Sequence, residues 1–301
     1  MTENRIPLFG PMLEEGTMSK ITAFIDGSIY SQSVCEHAAW IAGRLESSVE
    51  LLHVLGRRET GSAPSDLSGK IALGARSSLL KELSELDERR ARLAMKRGRA
   101  ILEDAEAAVR TAGIEAVSGR LRHGDVVETV AEVEVDSDLL VIGKRGEAAD
   151  FAKLHLGSNL ERVVRSSHKP VFVAARAFTP IEKVLVAYDG GASSMKAVDA
   201  MSRSPLFAGL TVKLLTVGAD NSEARNRLAD AEAVLRGGGI EAQGEVVPGQ
   251  PETVISERVE SEKFDLLVMG AYGHSRIRSL IIGSTTEAML RSCKIPVMLF
   301  R

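Results

Sequence analysis

Cysteine, net charge and long apolar runs are all scarce in this 301-residue sequence. The two cysteines, Cys35 and Cys293, are far apart, so neither a disulfide framework nor a cysteine-based metal site is predicted. The formal net charge of −3 gives no electrostatic reason to expect nucleic acid or an anionic membrane as a partner. No apolar run approaches the roughly 18 residues of a membrane span, and the first residues lack a signal peptide's apolar core. We therefore expect a soluble, cytoplasmic protein.

Several catalytic signatures are also missing. No G-x4-G-K-[ST] motif is present, which excludes a P-loop nucleotidase, and no G-x-G-x-x-G follows the first predicted strand, which excludes that type of dinucleotide site. Clustered metal ligands and a serine nucleophile elbow are absent as well. Phosphoryl transfer normally needs a positioned base and a metal held by carboxylates. We therefore assign no catalytic residue and no metal ligand.

A strand, a glycine-bearing loop and a helix follow one another between Phe264 and Pro296. The apolar run 265–269 is typical of a strand buried in a parallel sheet, and 285–292 is predicted to be helical. Free amide groups and the helix dipole make such a helix N-terminus a place to hold an anion. The residues expected there are Gly270, Gly273, Gly283, Ser284 and Thr285. The alternative is a plain tight turn with a serine N-cap.

The chain repeats itself at a constant offset. In each copy a predicted strand ends at Asp-Gly, a helix follows, and a second strand comes next. Asp26 lies 163 residues before Asp189, and Val54 lies 163 residues before Val217. The predicted pairs are strands Lys20–Ile25 and Lys183–Tyr188, helices Ser31–Leu45 and Ser193–Met201, and strands Val49–Leu55 and Thr211–Val217. These ordered matches indicate a tandem duplication.

The repeat continues to the end of both halves. Asp138–Gly143 matches Asp265–Gly270, and Lys169–Val173 matches Ile295–Leu299. Each half alternates strands and helices, which predicts a Rossmann-like α/β domain with a five-stranded, mostly parallel sheet and helices on both faces. Ligands bind such sheets beyond the carboxyl ends of the strands, where strand order reverses. The Asp-Gly turns and the glycine loops both fall there, so we expect one cleft per domain.

We divide the chain into a flexible leader (1–19), a first domain (20–178) and a second domain (179–301). The first domain carries about 36 extra residues, placed at about 57–98, which hold a predicted loop up to about Gly74 and most of a long helix. That helix is predicted from Ser77 to Ala112, with leucines on one face and charges on the other. It either lies solvated on its own domain or forms an arm that binds a partner.

These features resemble a known family. Two tandem domains, each with a strand ending in Asp-Gly and a late glycine loop before Gly-Ser, are similar to tandem universal stress proteins of the UspA type. The resemblance covers about residues 20–301, and residues 270–284 match the family signature G-x2-G-x9-G-[ST], which marks domains that bind ATP or related adenine nucleotides. It implies the adenine nucleotide alpha hydrolase-like fold and a role in stress responses.

The resemblance also implies roles for single residues. Asp189 would approach the ribose or the adenine edge, Val217 would line the adenine pocket, and Met269 is counted among the nucleotide-binding residues. The phosphates of ATP, ADP or AMP, with or without Mg²⁺, would be held by Gly270, Gly273, Gly283, Ser284 and Thr285. His274 and Arg276, in the same loop, either neutralise phosphate charge or are simply solvated.

The first half departs from the signature. Ten residues instead of nine separate Gly146 from Gly157, and Asn159 replaces the second hydroxyl residue. The extra residue either bulges out harmlessly or displaces the amide groups of the predicted phosphate cradle, which is the glycine loop together with the helix N-terminus that follows it. Lys144 and Arg145 add positive charge that favours an anion. The candidate residues of this second nucleotide site are Asp26, Val54, Gly143, Gly146, Gly157 and Ser158.

Three functions follow from this combination. The first is an adenine-nucleotide-binding regulator that acts through contacts with an unknown protein partner. The second is a weak ATP hydrolase or a transferase of adenylyl or phosphoryl groups. The third is a scaffold with vestigial sites. The resemblance further implies that Lys169–Val173 and Ile295–Leu299 pair within one chain as an internal pseudo-dimer, and it leaves a homodimer open.

Overall fold

The computed structural model describes residues 19–56, 73–144, 158–271 and 284–301, whose ten strands form one sheet. The strands of the first half are β1 (Lys20–Phe24), β2 (Ser48–Leu55), β3 (Val117–His123), β4 (Leu139–Gly143) and β5 (Val171–Ala174). Those of the second half are β6 (Lys183–Ala187), β7 (Thr211–Val217), β8 (Ala242–Val247), β9 (Leu266–Gly270) and β10 (Val297–Phe300). The short central strands are almost wholly buried, as expected for a parallel sheet covered on both faces.

The sheet order explains where ligands can bind. It runs β3-β2-β1-β4-β5 through the first half and continues as β10-β9-β6-β7-β8 through the second. All neighbouring strands are parallel except β5 and β10. Strand order therefore reverses between β1 and β4 and again between β6 and β9. In sheets of this kind, ligands bind beyond the carboxyl ends of the strands at such points.

Helices cover both faces of the sheet, as predicted. They are α1 (Ser31–Leu45), α2 (Leu73–Thr111), α3 (Val126–Val133), α4 (Ser158–Ser166), α5 (Ala192–Arg203), α6 (Ser222–Gly237), α7 (Pro251–Glu262) and α8 (Ser284–Ser292). One apolar core lies under α1, α2, α5 and α6, and the other under α3, α4, α7 and α8. Each core runs through both halves, so the sheet is packed as one continuous layer.

The two halves meet edge to edge. Strands β5 and β10 pair antiparallel, with Val173 opposite Val297 and Phe172 opposite Met298, and all four side chains are buried. This pairing confirms the prediction that the last strands of the two halves meet within one chain. Arg44 of α1 strengthens the junction, because its Nε donates to the carbonyl of Leu206 at 2.7 Å.

Each half holds an ion pair at the same place between its second and third strands, but the acidic and basic partners are exchanged. In the first half the Glu50 carboxylate on β2 lies 3.5 Å from the Arg120 guanidinium on β3. In the second half the Lys213 ammonium on β7 lies 3.4 Å from the Glu245 carboxylate on β8. The two pairs occupy matching places in the repeat, so the complementary charges are kept there although their signs are exchanged.

Helix α2 is far longer than the sheet beneath it. Its 39 residues extend about 58 Å, whereas the eight residues of β2 extend about 26 Å. The C-terminal part packs on the domain through Leu102, Ala105 and Val109, which are buried. The predicted start at Ser77 was late, since the helix begins at Leu73, inside the predicted loop. The rest of that loop and the leader up to residue 18 lie outside the described residues, and the domain limits 20–178 and 179–301 stay predictions.

Candidate functional site

The candidate site of the second half lies where strand order reverses between β6 and β9. Ala187 and Met269 are Cα partners near the carboxyl ends of these strands. The chain continues from there into Asp189 on one side and Gly270 on the other. Two of the predicted site residues therefore emerge side by side at one edge of the sheet.

Asp189 holds the turn that leads into α5. Its Oδ1 accepts hydrogen bonds from the Gly191 amide at 2.8 Å and from the Ser194 hydroxyl at 2.6 Å. The residue is nevertheless exposed at the cleft. Asp189 thus serves as a local cap while its carboxylate faces solvent, where a ligand hydroxyl can reach it.

Gly270 lies directly against the first turn of α5. A Cβ added to it would come within 2.9 Å of the Ser193 Cβ and 3.1 Å of the Ser194 amide nitrogen. No larger residue fits without displacing the helix start, which explains the glycine. Because Ser194 also bonds Asp189, the two predicted site residues contact the same turn.

The first turn of α8 joins this arrangement. The Thr286 hydroxyl is buried and donates to the carbonyl oxygens of Gly270 and Ala271 at 3.3 and 3.4 Å. It thereby ties the helix start to the end of β9. Ser284 is exposed at the N-terminus of α8, with Thr285 half-buried beside it. Helix amides of a first turn have no intrahelical acceptor, so they are available to an anion.

An apolar wall completes the described part of the cleft. Met269 is buried, and Val217 at the end of β7 is half-buried and packs on the same core. Ala187 belongs to that wall as well. These side chains make the described edge of the site apolar, and ligand sites are lined predominantly by such side chains.

Sequence reasoning missed Arg227 of α6. Gly190 has a φ of +72°, and a Cβ there would lie 3.0 Å from the Arg227 Cδ. The charge of Arg227 also reaches the neighbouring Tyr188, whose hydroxyl has its pKa raised by burial although Arg227 opposes the shift. Arg227 adds a cation beside the Asp189 turn. Arg227 could hardly be recognised from the sequence, because it lies 38 residues after Asp189 on a helix that carries many other charged residues.

Part of the predicted cradle lies outside the described residues. Gly273 and Gly283 fall there, as do His274 and Arg276, and in the first half so do Gly146 and Gly157 together with Arg145. Their assignment therefore stays a prediction. Ser158 begins α4, which matches its predicted place at a helix start.

The first half repeats the Asp-Gly turn but covers it differently. The Asp26 Oδ1 accepts from the Ser28 amide at 3.0 Å and from the Ser31 hydroxyl at 3.3 Å, and Ser31 is the counterpart of Ser194. A Cβ on Gly27 would lie 2.7 Å from Ile101 Cδ1 of α2. An apolar side chain thus stands where the second half has Arg227.

The other candidates of the first half lie where they were predicted to lie. Val54 is half-buried at the end of β2, and Gly143 ends β4. Both are at the carboxyl edge of the sheet, near the reversal between β1 and β4. The first half therefore keeps the framework of a cleft.

The expectation that Lys144 favours an anion in the first half was wrong. Its side chain is buried and its ammonium group donates to the carbonyl of Cys293 in the second half. The reason is tertiary: the β5–β10 junction brings the carboxyl end of α8, rich in carbonyl acceptors, next to the end of β4. Lys144 is therefore a junction residue.

Metal chemistry finds no support in the described ranges. Within them, no group of three His, Cys, Asp or Glu side chains is arranged to hold a metal ion. In the same ranges, no helix has both the length and the apolar character needed to cross a membrane.

The described site of the second half consists of an exposed carboxylate, a helix N-terminus, a tightly packed glycine and an apolar wall.

Comparison with known proteins agrees with this arrangement. A sequence model described as the universal stress protein family matches residues 18–175 and 212–301. The Universal stress protein Slr1230 of Synechocystis sp. is 40% identical over 287 residues, which cover 94% of this chain and 100% of that protein. A universal stress protein of Mycobacterium tuberculosis is 25% identical over 210 residues, or 62% of this chain and 65% of that protein.

Solved structures support the fold. The crystal structure of a universal stress protein from Archaeoglobus fulgidus aligns with a TM-score of 0.70 at 22% identity, covering 94% of this chain and 98% of that chain. A functionally unknown protein from Pseudomonas aeruginosa aligns with a TM-score of 0.58 at 18% identity, covering 94% and 92%. Taken with the sequence matches, the chain belongs to the universal stress protein family and carries two such domains in tandem.

Proposed function

We propose that the second domain binds an adenine nucleotide, ATP or its products ADP and AMP, and that occupancy regulates contacts with another protein in a stress response. The observation that carries the proposal is that Asp189 and Gly270 both contact the first turn of α5, and that the first turn of α8 is bonded to the carbonyl of Gly270. Family membership and the spacing of the glycine signature in residues 270–284 support it.

The chemistry of the cleft suits the three parts of a nucleotide. The wall of Val217 and Met269 offers apolar contact to the base, and the exposed carboxylate of Asp189 accepts hydrogen bonds from sugar hydroxyls. The N-terminus of α8 offers amides and a helix dipole to the phosphates. Mg²⁺, where it takes part, would be bound mainly through the phosphate oxygens.

We propose one strong site per chain. In the first half, Lys144 is committed to the junction and Ile101 covers the Asp-Gly turn. The second half keeps both the signature spacing and the cation of Arg227. We assign no turnover, and the two hydrogen bonds that the Asp189 Oδ1 accepts from Gly191 and Ser194 support a role for this carboxylate in holding the turn.

Calorimetric titration of the full chain with ATP, with and without Mg²⁺, tests the proposal. We expect a stoichiometry near one. Asp189→Asn keeps an acceptor for Gly191 and Ser194 but removes the charge, and it should weaken binding by about tenfold. The matched change Asp26→Asn in the first half should leave the affinity unchanged.

Other outcomes separate the alternatives. A stoichiometry near two, lost in part with Asp26→Asn, would assign a working site to the first half as well. Phosphate release that depends on Mg²⁺ would favour the weak hydrolase. No binding heat, in a protein that carries no nucleotide from purification, would overturn the proposal and leave the scaffold.

A further inference from the structure

The N-terminal part of α2 carries leucines that the described part of the chain does not bury. Among residues 79–97 no described side chain is buried, whereas Leu102 and Val109 further along the same helix are packed in the core. Leu86 and Leu93 are 43% and 66% exposed. Exposed leucines at regular spacing on one helix are a marker of an interaction surface.

Leu79, Leu86 and Leu93 lie on a different side of α2 from the face that packs on the domain, and Leu83 lies between the two sides. Leu79, Leu83, Leu86 and Leu93 are spaced four, three and seven residues apart, which follows a coiled-coil seam except that Arg90 occupies the position between Leu86 and Leu93. Gly98 marks the packed face, because a Cβ there would touch Leu121 and His53. At 3.6 residues per turn, Leu93 points about 140° away from Gly98. Leu86 and Leu93 therefore point away from the core of their own domain.

The charges on this segment are sorted by sign. Residues 82–88 contain four acidic residues and no basic one, and residues 89–99 contain six basic residues and no acidic one. Two ion pairs within the helix, Arg90 with Asp87 at 3.8 Å and Arg92 with Glu88 at 3.2 Å, leave both arginines exposed. The segment is thus acidic at its N-terminal end and basic at its C-terminal end. Two copies that lie antiparallel therefore place opposite charges side by side.

We propose that residues 79–97 of α2 form an antiparallel coiled coil with the same segment of a second copy of this chain. The pair is centred near Glu88, so that each acidic stretch lies along the basic stretch of the other copy. The leucines form the seam, and Glu82 flanks it beside Lys96 of the partner subunit, a contact made twice by symmetry. A parallel pair would instead set Glu82 beside the partner's Asp87, which is repulsive.

Sedimentation equilibrium of the full chain, with a double charge exchange, tests the proposal. We expect a reversible dimer. Glu82→Lys and Lys96→Glu should each raise the dissociation constant by about tenfold, because each puts two like-charged pairs beside the seam. The double variant E82K/K96E recreates both pairs with reversed sign and should restore the dimer. Leu93→Glu should abolish it, and Lys263→Glu, far from α2, serves as the control.

Each remaining outcome overturns the proposal. A chain that stays monomeric at all concentrations rules it out, and so does a dimer that survives Leu93→Glu. Single variants that weaken the dimer without recovery in the double variant contradict the antiparallel pairing. A stronger dimer with Glu82→Lys alone would indicate a parallel pair. Circular dichroism of each variant verifies that the helix content is unchanged.

Discussion

The ammonium group of Lys144 donates a hydrogen bond to the carbonyl oxygen of Cys293. Lys144 follows β4 of the first half and Cys293 follows α8 of the second, so the bond crosses the junction. A cation at the carboxyl end of a helix interacts favourably with the dipole and the last carbonyls. Since α8 begins at the candidate nucleotide cleft, a loop of one domain supports the helix that serves the site of the other.

Replacing Lys144 with Met should lower the free energy of unfolding by about 1–2 kcal/mol, because the carbonyl of Cys293 loses its charged donor. Urea unfolding measures the change. Lys196→Met, at an exposed position of α5, is the matched control and should stay within about 0.5 kcal/mol of the wild type. Equal losses in both variants would show that the junction bond contributes nothing.

Gly270→Ala should destabilise the chain by about 1–3 kcal/mol and weaken nucleotide binding, because the new methyl group would push against Ser193 and Ser194. Thermal unfolding and calorimetry report the two effects. Gly237→Ala provides the comparison, since a Cβ at the end of α6 meets no atom within 4 Å. A variant at Gly270 with unchanged unfolding would contradict the close packing described for this glycine.

His37 should make the protein less stable in acid. Burial between Phe172 and Phe178 lowers the pKa of its imidazole, although its bond to the Ser33 carbonyl and the charge of Glu36 oppose the shift. The unfolded chain therefore takes up a proton first, and stability is lost as the pH falls below about 6.5. In urea unfolding, His37→Leu should reduce that loss between about pH 7 and pH 5. A slope identical to that of the wild type would be inconsistent with this assignment.

Both cysteine thiols should be unreactive in the folded protein. Burial raises the pKa of Cys35 to about 12, and burial likewise raises the pKa of Cys293 despite the nearby charge of Lys144. The thiolate fraction of Cys35 at neutral pH is then about a thousandfold below that of an ordinary thiol. Iodoacetamide labelling followed by mass spectrometry should find both thiols free until urea unfolds the chain. Rapid labelling of either in the native state would be the contrary result.

Local pattern and repetition were enough to predict most of the fold. The span Thr211–Val217 of β7 was predicted to the residue, and α1 was predicted from Ser31 to about Leu45, because apolar periodicity marks both elements and an Asp-Gly turn precedes α1. Because of the duplication, each element could be predicted from two separate stretches of the sequence. The mostly parallel sheet followed from alternating strands and helices, and the β5–β10 contact was implied by the family resemblance and confirmed by the pairing.

The direction of single side chains was harder to predict. Lys144 was expected to face an anion, and it instead crosses to Cys293, because its acceptor belongs to an element almost 150 residues away. Arg227 and Thr286 at the second cleft were not predicted for the same reason. Only the packing of α6 on the Asp189 turn brings Arg227 there, and only the packing of α8 on β9 brings Thr286 there. Long-range packing of this kind leaves no periodic trace in the sequence.

Because β5 and β10 belong to one polypeptide, their pairing occurs at an effective concentration that dilution does not lower. Two identical subunits that meet across a two-fold axis must present the same residues to each other twice. In a single chain with two domains, the two sides of the junction can carry different residues. Lys144 reaches Cys293, whereas its counterpart in the second half is Ala271, and the ion pair between the second and third strands of each half has changed sign. The two halves can therefore diverge separately, one toward ligand recognition and the other toward support, while their shared edge stays closed.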